Sequence, residues 1–465
     1  MRGKALKALP KRPEDTIAAV STPPGEGGIG IVRLSGANAA AIVRGVFFSS
    51  RNRPLDQGRV FHGEIRDDDG TPLDEVLVHI MRAPHSYTRE DVVEINCHGG
   101  AGPVQAVLDL VLRHGARLAT PGEFTKRAFL NGRIDLVQAE AVIDRIRAQT
   151  RAGLRAASAS AGGALSRSLY ELRDALADAL AHVEAAVDFP DEDLPDLVNK
   201  SLREGLERTL ARMNELLATA EAGRLYREGA RMGIAGRPNV GKSSLFNALL
   251  RDSRAIVTPV AGTTRDLIEE IITISGIPVR LTDTAGLRAS EDEVEQIGIE
   301  VARKALGQSD AVLFVMDASV NATSEDEELA RELFALEVPV VLVLNKCDLA
   351  PEAVAPAWTN TAARTCSVSA KTGQGLPELE GALSELLLGA APISPDQGLI
   401  TRAHQRDSLR RAAAAVTRLL DNFDVSPEFL SIDLREALQA VGEITGETTP
   451  DAILETIFAS FCIGK

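Results

Sequence analysis

Aromatic residues are scarce, at 4% of 465 residues with a single tryptophan. Cysteine is scarce too. The four present, Cys97, Cys347, Cys366 and Cys462, form no C-x-x-C pair. That pattern suggests neither a disulfide framework nor a zinc site, and it suits a reducing cytoplasm. Positive charge is in deficit: 51 Lys and Arg stand against 66 Asp and Glu, a net charge of −15. Such a chain is no general coat for nucleic acid, so any RNA contact must be local. No apolar run reaches the ~18 residues of a membrane-crossing helix. The basic residues 1–12 lack the apolar segment of a secretion signal, and residues 1–14 read as a disordered tail. A cytoplasmic protein with no membrane partner is expected. What is present is ordinary for a globular protein, 45% hydrophobic and 25% charged. At ~150 residues per domain the length allows about three domains.

The stretch that organises the chain is Gly236-Arg237-Pro238-Asn239-Val240-Gly241-Lys242-Ser243, which reads G-x-x-x-x-G-K-S. It follows the apolar residues 232–235, which suit a strand. It precedes residues 244–250, from Ser244 on, which suit a helix, and this context is what the phosphate-binding loop needs. Its two glycines let backbone N–H groups turn inward around phosphate oxygens, and the helix start adds its positive dipole end. Lys242 reaches the β- and γ-phosphates, and Ser243 offers a hydroxyl to Mg²⁺.

Further nucleotide signatures follow in order. Asp283-Thr284-Ala285-Gly286 closes the apolar run 277–281 and reads D-x-x-G; its aspartate serves Mg²⁺ and its glycine N–H senses the γ-phosphate. Asn345-Lys346-Cys347-Asp348 follows the apolar residues 340–344. The Asp348 carboxylate can accept from the N1–H and 2-amino group of guanine, a donor pair adenine lacks, so this element selects GTP. Ser369-Ala370-Lys371, after the strand-like residues 366–368, matches the loop that packs on the guanine O6. Between the first two signatures lies Thr258-Pro259-Val260-Ala261-Gly262-Thr263-Thr264, where the switch loop belongs, with Thr264 as the second Mg²⁺ hydroxyl ligand.

Ordinary small GTPases carry a glutamine just after D-x-x-G to orient the attacking water; here the residue is Leu287. Some other group must position water and offset charge. Asn239 can help hold a monovalent cation beside the β- and γ-phosphates, where it would act as an arginine finger does. Carboxylates follow in residues 290–295. Ser290 and Glu293 fit a helix capping box, which leaves Glu295, together with Lys242, as the catalytic candidate.

The flanks differ in character. Residues 15–133 read as α+β, with alternation at Val76, Val78, Ile80 and at Val93, Ile95, Cys97, strands over 16–20 and 29–34 about a turn at 23–28, and a helix over 104–113. Residues 134–225 are alanine-rich and helical: Leu165, Leu169, Leu172, Leu176, Leu180, Val183 and Val187 form one seam, and Leu202, Leu206, Leu210, Met213 and Leu217 another. The segment 188–193 must break the first. Residues 226–390 hold the nucleotide signatures, and helical periodicity returns over 391–465. The simplest architecture is an α/β P-loop GTPase domain inserted into an all-α helical domain made of two segments, behind an N-terminal α+β domain.

These motifs resemble the MnmE (TrmE) family of tRNA modification GTPases over residues 15–465. The likeness rests on residues 22–36, Asp91-Val92-Val93-Glu94 with His98-Gly99-Gly100, Pro121-Gly122-Glu123-Phe124, the break over 187–191, the nucleotide motifs and the terminal Phe461-Cys462-Ile463-Gly464-Lys465. The resemblance implies a GTPase domain stimulated by K⁺, held by Asn239, Thr258, Val260 and Thr263, with Mg²⁺ on Ser243 and Thr264 and Glu295 orienting water. It implies an N-terminal folate-binding-like domain that makes a homodimer and binds a methylene- or formyl-tetrahydrofolate through Arg33, Glu94, Arg133 and Lys465. A carboxylate such as Glu94 can accept paired hydrogen bonds from a pterin. It also implies a complex with MnmG, an FAD protein. Together the two add an aminomethyl or carboxymethylaminomethyl group to C5 of the wobble uridine of tRNA.

Cys462 superficially fits a C-a-a-X lipid box, but Gly464 is not aliphatic and Lys465 is a poor final residue for one. A packed or structural thiol and a reactive thiol near the folate both remain open. His98 reads as structural. Arg147, Arg151 and Arg155 step by four as if along one helix, as do Arg402, Arg406 and Arg410; each stripe is either a solvated face or a contact for tRNA phosphates. The alternative function is an Era-like GTPase switch in RNA or ribosome assembly, without one-carbon chemistry and without a folate site.

Overall fold

The computed structural model describes residues 15–50, 55, 58–188, 196–252, 269–283, 304–389, 393–423 and 427–465. They divide into two compact units, one of residues up to 143 together with 439–465, the other of residues 144–438.

The first unit is built on a seven-stranded sheet. Its strands are β1 (Ile17–Val20), β2 (Gly27–Ser35), β3 (Phe47–Ser49), β4 (Val60–Arg66), β5 (Pro72–Met81), β6 (Val92–Gly99) and β7 (Arg117–Leu118), in the order β3-β4-β5-β6-β2-β1-β7. Every pairing is antiparallel except β1 with β7. The period-2 alternation has its expected cause: Val78 lies opposite Ile95 and Ile80 opposite Val93, all buried. Helices Ala39–Val46 and Ala101–Arg113 cover that face with Ile42, Val43, Val107, Leu110 and Val111. The second helix begins three residues before the expected start, because Pro103 falls in its first turn, where a missing N–H costs nothing. β2 begins at Gly27, so the end of the expected turn is strand, with a bulge between Gly27 and Gly30.

Helix Glu123–Leu130 follows, and its Phe129 joins Leu136, Ile143, Leu454, Phe458 and Phe461 in a second core. The last helix, Asp451–Ala459, is therefore part of this unit. Arg127 is 1% exposed and would be prohibitive unpaired. It meets Asp15 at 2.8 Å, Glu123 at 3.0 Å and Glu90 at 3.2 Å.

The second unit holds a six-stranded sheet of β8 (Ala230–Ala235), β9 (Glu269–Ile274), β10 (Ile277–Asp283), β11 (Ala311–Asp317), β12 (Val340–Asn345) and β13 (Arg364–Ser367). The order is β13-β12-β11-β8-β10-β9, parallel throughout except for the edge strand β9. Parallel strands are covered on both faces, so they read as continuous apolar runs; all six residues of β12 are buried. Leu245 and Leu249 of helix Lys242–Asp252, with Leu379 and Leu383 of helix Leu376–Leu388, cover one face. Ala330 and Leu333 of helix Ser324–Phe334 cover the other.

The helices of this unit include Arg151–Ala161, Ala164–Asp188, Asp196–Ala218, Ala220–Glu228 and Ala403–Asp421. Leu165, Leu169, Leu172, Leu176 and Val183 are buried along one seam, as the leucine spacing requires. In the second seam Leu216, not Leu217, is the buried residue. Of the expected break over 188–193, residues 189–193 lie outside the described residues. One expectation is corrected. Arg147 ends helix Leu136–Arg147, and Thr150 caps a new helix by accepting from the Gly153 N–H at 3.0 Å. Arg147 therefore does not share a helix with Arg151 and Arg155.

Beside that junction, Arg402 donates to the Asp144 carboxylate at 2.8 Å, and His404 is packed nearby. Burial, then the positive charge of Arg402 and Arg227, pushes the His404 imidazole down to about 4. A histidine held neutral in the folded state binds its proton mainly after unfolding, so stability falls as pH drops from about 6.5 towards 4. Asp144 acts in the opposite sense, because burial raises it despite Arg402, and it is present in both wild type and His404→Gln, so the comparison isolates the histidine. Urea unfolding at pH 7 and pH 5 should show a loss of ~2 kcal/mol from this group, absent in His404→Gln. Equal pH dependence in the two proteins would refute it.

Candidate nucleotide-binding site

β8 ends where the glycine loop begins. Gly236 has φ +151°, and a Cβ there would sit 2.3 Å from the Val315 carbonyl oxygen of β11. Gly241 has φ +95°, and its Cβ would sit 2.2 Å from Asn345 Nδ2. Both positions exclude a side chain, for want of space as well as of backbone freedom. Between them Asn239 is exposed at φ 63°. Lys242 is buried at the start of its helix, and its ammonium donates to the carbonyls of Gly236 at 2.9 Å and Arg237 at 2.7 Å. The ammonium is thus held inside its own loop, against the surface where phosphate oxygens would lie. Ser243 and Ser244 are exposed at the helix N-terminus.

The base side comes from the ends of β12 and β13. Asn345 is buried; its amide donates to the Val240 carbonyl at 2.9 Å, and its Oδ1 accepts from the Ala370 N–H at 3.1 Å. One side chain therefore ties the glycine loop to the Ser369-Ala370-Lys371 loop. Lys346, at φ 65°, reaches back to the Asn239 carbonyl at 3.0 Å. Cys347 is buried with its N–H on the Val368 carbonyl at 3.1 Å, which turns Asp348 outward. Ser369 is fully buried and its Oγ accepts from the Thr372 N–H at 3.2 Å. Gly241, Ser244, Asn345, Lys346, Asp348 and Lys371 line a single cleft of about 650 Å³.

Two supports were not evident in the sequence. Asp317, at the end of β11, pairs with the Lys346 ammonium at 2.5 Å. Burial alone would raise its carboxyl, but hydrogen bonds from Lys346 and Ser319 outweigh this and hold it below the usual carboxylate range. Arg237 pairs at 2.6 Å with Asp326, a buried carboxylate that also closes the Thr323 capping box. The only sequence signal for Asp317 was its place at the end of an apolar run.

Thr258, Pro259, Val260, Ala261, Gly262, Thr263, Thr264, Thr284, Ala285, Gly286 and Glu295 lie outside the described residues. The backbone of Asp283 ends β10, beside Ile234 of β8, and so reaches the same end of the sheet as the glycine loop. Of the groups expected to hold K⁺ or Mg²⁺, Asn239 and Ser243 are exposed at the cleft's loop, a donor set of amide and hydroxyl oxygens that fits hard cations.

In the other unit, Arg33 of β2 and Glu94 of β6 lie opposite each other and pair at 2.8 Å. Arg33 also donates to the Gly464 carbonyl at 3.1 Å and sits 5.7 Å from the Phe124 ring centroid. Ser21 Oγ donates to the same carbonyl. Gly464 has φ +87°, with Val20 O only 2.2 Å from a built Cβ, so the C-terminal residues are seated on the sheet. Arg133 stacks 4.6 Å from the Tyr87 centroid, and Tyr87 packs with Phe124 and shares a 2.9 Å hydrogen bond with Thr125. The structure thus brings Arg33, Glu94 and the backbone of residues 462–465 together, and joins Arg133 to them through Tyr87 and Phe124. An acidic acceptor, two guanidiniums and aromatic faces suit a pterin with a carboxylate tail. Cys462 is exposed, and its carbonyl accepts from the N–H groups of Gly122 and Lys465 at 3.3 Å. His98 pairs with Asp74 at 2.6 Å. Arg402 is committed to Asp144, Arg155 pairs with Asp396, and Arg406 pairs with Asp407. Among the described residues no helix is long and apolar enough to cross a membrane.

Two family profiles match: one described as GTP-binding protein TrmE N-terminus over residues 16–133, the other as MnmE helical domain over residues 136–462. The tRNA modification GTPase MnmE of Heliobacterium modesticaldum is 48% identical over 97% of this chain and 99% of its own. That of Chloroflexus aurantiacus is also 48% identical, over 97% of this chain and 100% of its own. Among solved structures, the G domain of the T. maritima FeoB iron transporter is 28% identical and covers 34% of this chain, with a TM-score of 0.27 that bears no weight. With full-length relatives at this identity and both profiles matched in order, the chain belongs to the MnmE family of tRNA modification GTPases.

Proposed function

We propose that this chain hydrolyses GTP as the nucleotide-driven subunit of a machine that modifies C5 of the wobble uridine in tRNA. The observation that carries the reading is the cleft itself, in which the glycine loop, Asn345–Asp348 and Ser369–Lys371 line one cavity and Asn345 bridges them. In this reading Lys242 neutralises the β- and γ-phosphates. Ser243 and Thr264 hold Mg²⁺, while Asn239, Thr258, Val260 and Thr263 hold K⁺. Asp348 reads guanine, and Glu295 orients the attacking water in place of the missing glutamine. The domain limits after residues 133, 225 and 390 belong to the same reading, as does a cytoplasmic location.

The one-carbon part of the reading rests on the other unit. Arg33, Glu94, Arg133 and Lys465 would hold a tetrahydrofolate derivative in a homodimer that works with the FAD protein MnmG, adding an aminomethyl or carboxymethylaminomethyl group. The Arg33–Glu94 pair beside the Gly464 carbonyl supports it, because it sets a carboxylate acceptor and a guanidinium donor side by side, the chemistry a pterin with a carboxylate tail would meet. Calorimetric titration of the full chain with formyl-tetrahydrofolate tests it. Saturable binding is expected, weakened ~10–100-fold in Arg33→Ala through loss of charge-assisted hydrogen bonds, with GTP hydrolysis stimulated by K⁺ over Na⁺ in both proteins. A folded wild-type dimer that binds no folate would leave only the GTPase.

A further inference from the structure

The chain carries an excess of 15 negative charges, yet one cleft in the unit of residues 144–438 is lined by five arginines: Arg147, Arg224, Arg227, Arg231 and Arg280. Its volume is about 840 Å³, larger than the nucleotide cleft. Only two carboxylates line it, Glu228 and Asp310, so a formal surplus of three positive charges remains. Both carboxylates are already engaged. Asp310 accepts from Arg224 at 2.6 Å and from the Arg231 N–H at 2.7 Å, and Glu228 pairs with Arg227.

The surplus is built into the sheet. Arg231 of β8 and Arg280 of β10 are direct cross-strand neighbours, with Ile271 of β9 next in line, and all three line the cleft. Like charges opposite each other on adjacent strands destabilise a sheet. Among the described residues no ion pair joins either side chain to another, and the Arg280 Nε is buried without a hydrogen-bond partner. A buried unsatisfied donor is costly. An arrangement that costs the free protein stability in two ways is explained by an anion that satisfies it. The pair also lies away from the nucleotide: Arg231 is near the start of β8, whereas the glycine loop follows its end.

We propose that this cleft docks the phosphate backbone of RNA. The inference rests on the tRNA reading above and names the surface that serves it. The guanidiniums are spread over two strands and two helices rather than converging on one point, which suits successive phosphates more than a single small anion. The lining contains no aromatic residue on which a base could stack, so the contact positions RNA without reading its sequence.

The test is fluorescence anisotropy of a labelled tRNA transcript with the full-length protein across a salt series, for wild type, R231Q/R280Q and R231K/R280K. The glutamine pair should bind at least ~10-fold more weakly, with the salt slope reduced by about 1.5 for two lost phosphate contacts. The lysine pair should keep the slope. RNA-free GTP hydrolysis should not change, because neither residue lines the nucleotide cleft. The glutamine pair should melt no lower than wild type, since it removes a like-charge contact. Wild-type affinity and slope in the glutamine pair overturn the proposal. A wild-type protein that binds no tRNA would instead overturn the functional reading, and this surface with it.

Discussion

Asp348→Asn is expected to turn a GTP hydrolase into one that prefers xanthosine triphosphate. Asp348 faces the cleft from an exposed turn and makes no hydrogen bond to another described residue, so the fold does not depend on its charge. A carboxylate there accepts from both the N1–H and the 2-amino group of guanine. The asparagine amide can accept only one of these and points a donor at the other. Hydrogen bonds to a charged group contribute about 1.5–3 kcal/mol each. Losing the pair should lower kcat/KM for GTP by ~10²–10⁴. Xanthine replaces the 2-amino group with a carbonyl, which the new amide N–H can meet while its oxygen still accepts from N1–H, so kcat/KM for that nucleotide should rise above the value for GTP. Paired kinetics with the two nucleotides check this. A variant that kept wild-type GTP kinetics would remove Asp348 from the base site.

Gly241→Ala should be nearly as damaging, through a different route. At φ +95° a Cβ is strained in any surroundings, and here it would stand 2.2 Å from Asn345 Nδ2. Asn345 cannot yield cheaply. It is 2% exposed, donates to the Val240 carbonyl at 2.9 Å and accepts from the Ala370 N–H at 3.1 Å. One methyl group therefore disturbs the phosphate loop and the guanine loop together. We expect kcat/KM for GTP to fall by ~10³ or more, equivalent to about 4 kcal/mol of transition-state stabilisation. The folate binding proposed for the other unit should be unaffected. Near-normal GTP kinetics would mean that the loop does not close around phosphate in the geometry seen here.

The two substitutions mark where local sequence was informative. Each nucleotide motif is a short run whose chemistry is carried by neighbouring residues, so strand, glycine turn and helix start are legible around Lys242 in the sequence alone. So were the leucine seam from Leu165 to Val183 and the alternation in β5 and β6, because a periodicity of 3.6 or 2 is written along the chain itself. Boundaries were less secure where a single residue could tip them: Pro103 proved compatible with a first helical turn, and Thr150 capped a new helix where a steady arginine spacing had suggested one continuous rod.

By itself the sequence determined the nucleotide-binding motifs, the apolar core strands and the family, since all of these reside in contiguous motifs or in full-length likeness to relatives. Only the tertiary structure decided that Asn345 binds two loops together, that Asp317 steadies Lys346, that residues 439–465 fold with the N-terminal unit, and that Arg231 and Arg280 stand side by side. Each of these depends on pairing between residues from 25 to more than 300 positions apart. Strand order and register bring such residues together, and no local propensity encodes either. In a chain with net charge −15, it is that long-range register that concentrates positive charge in one cleft.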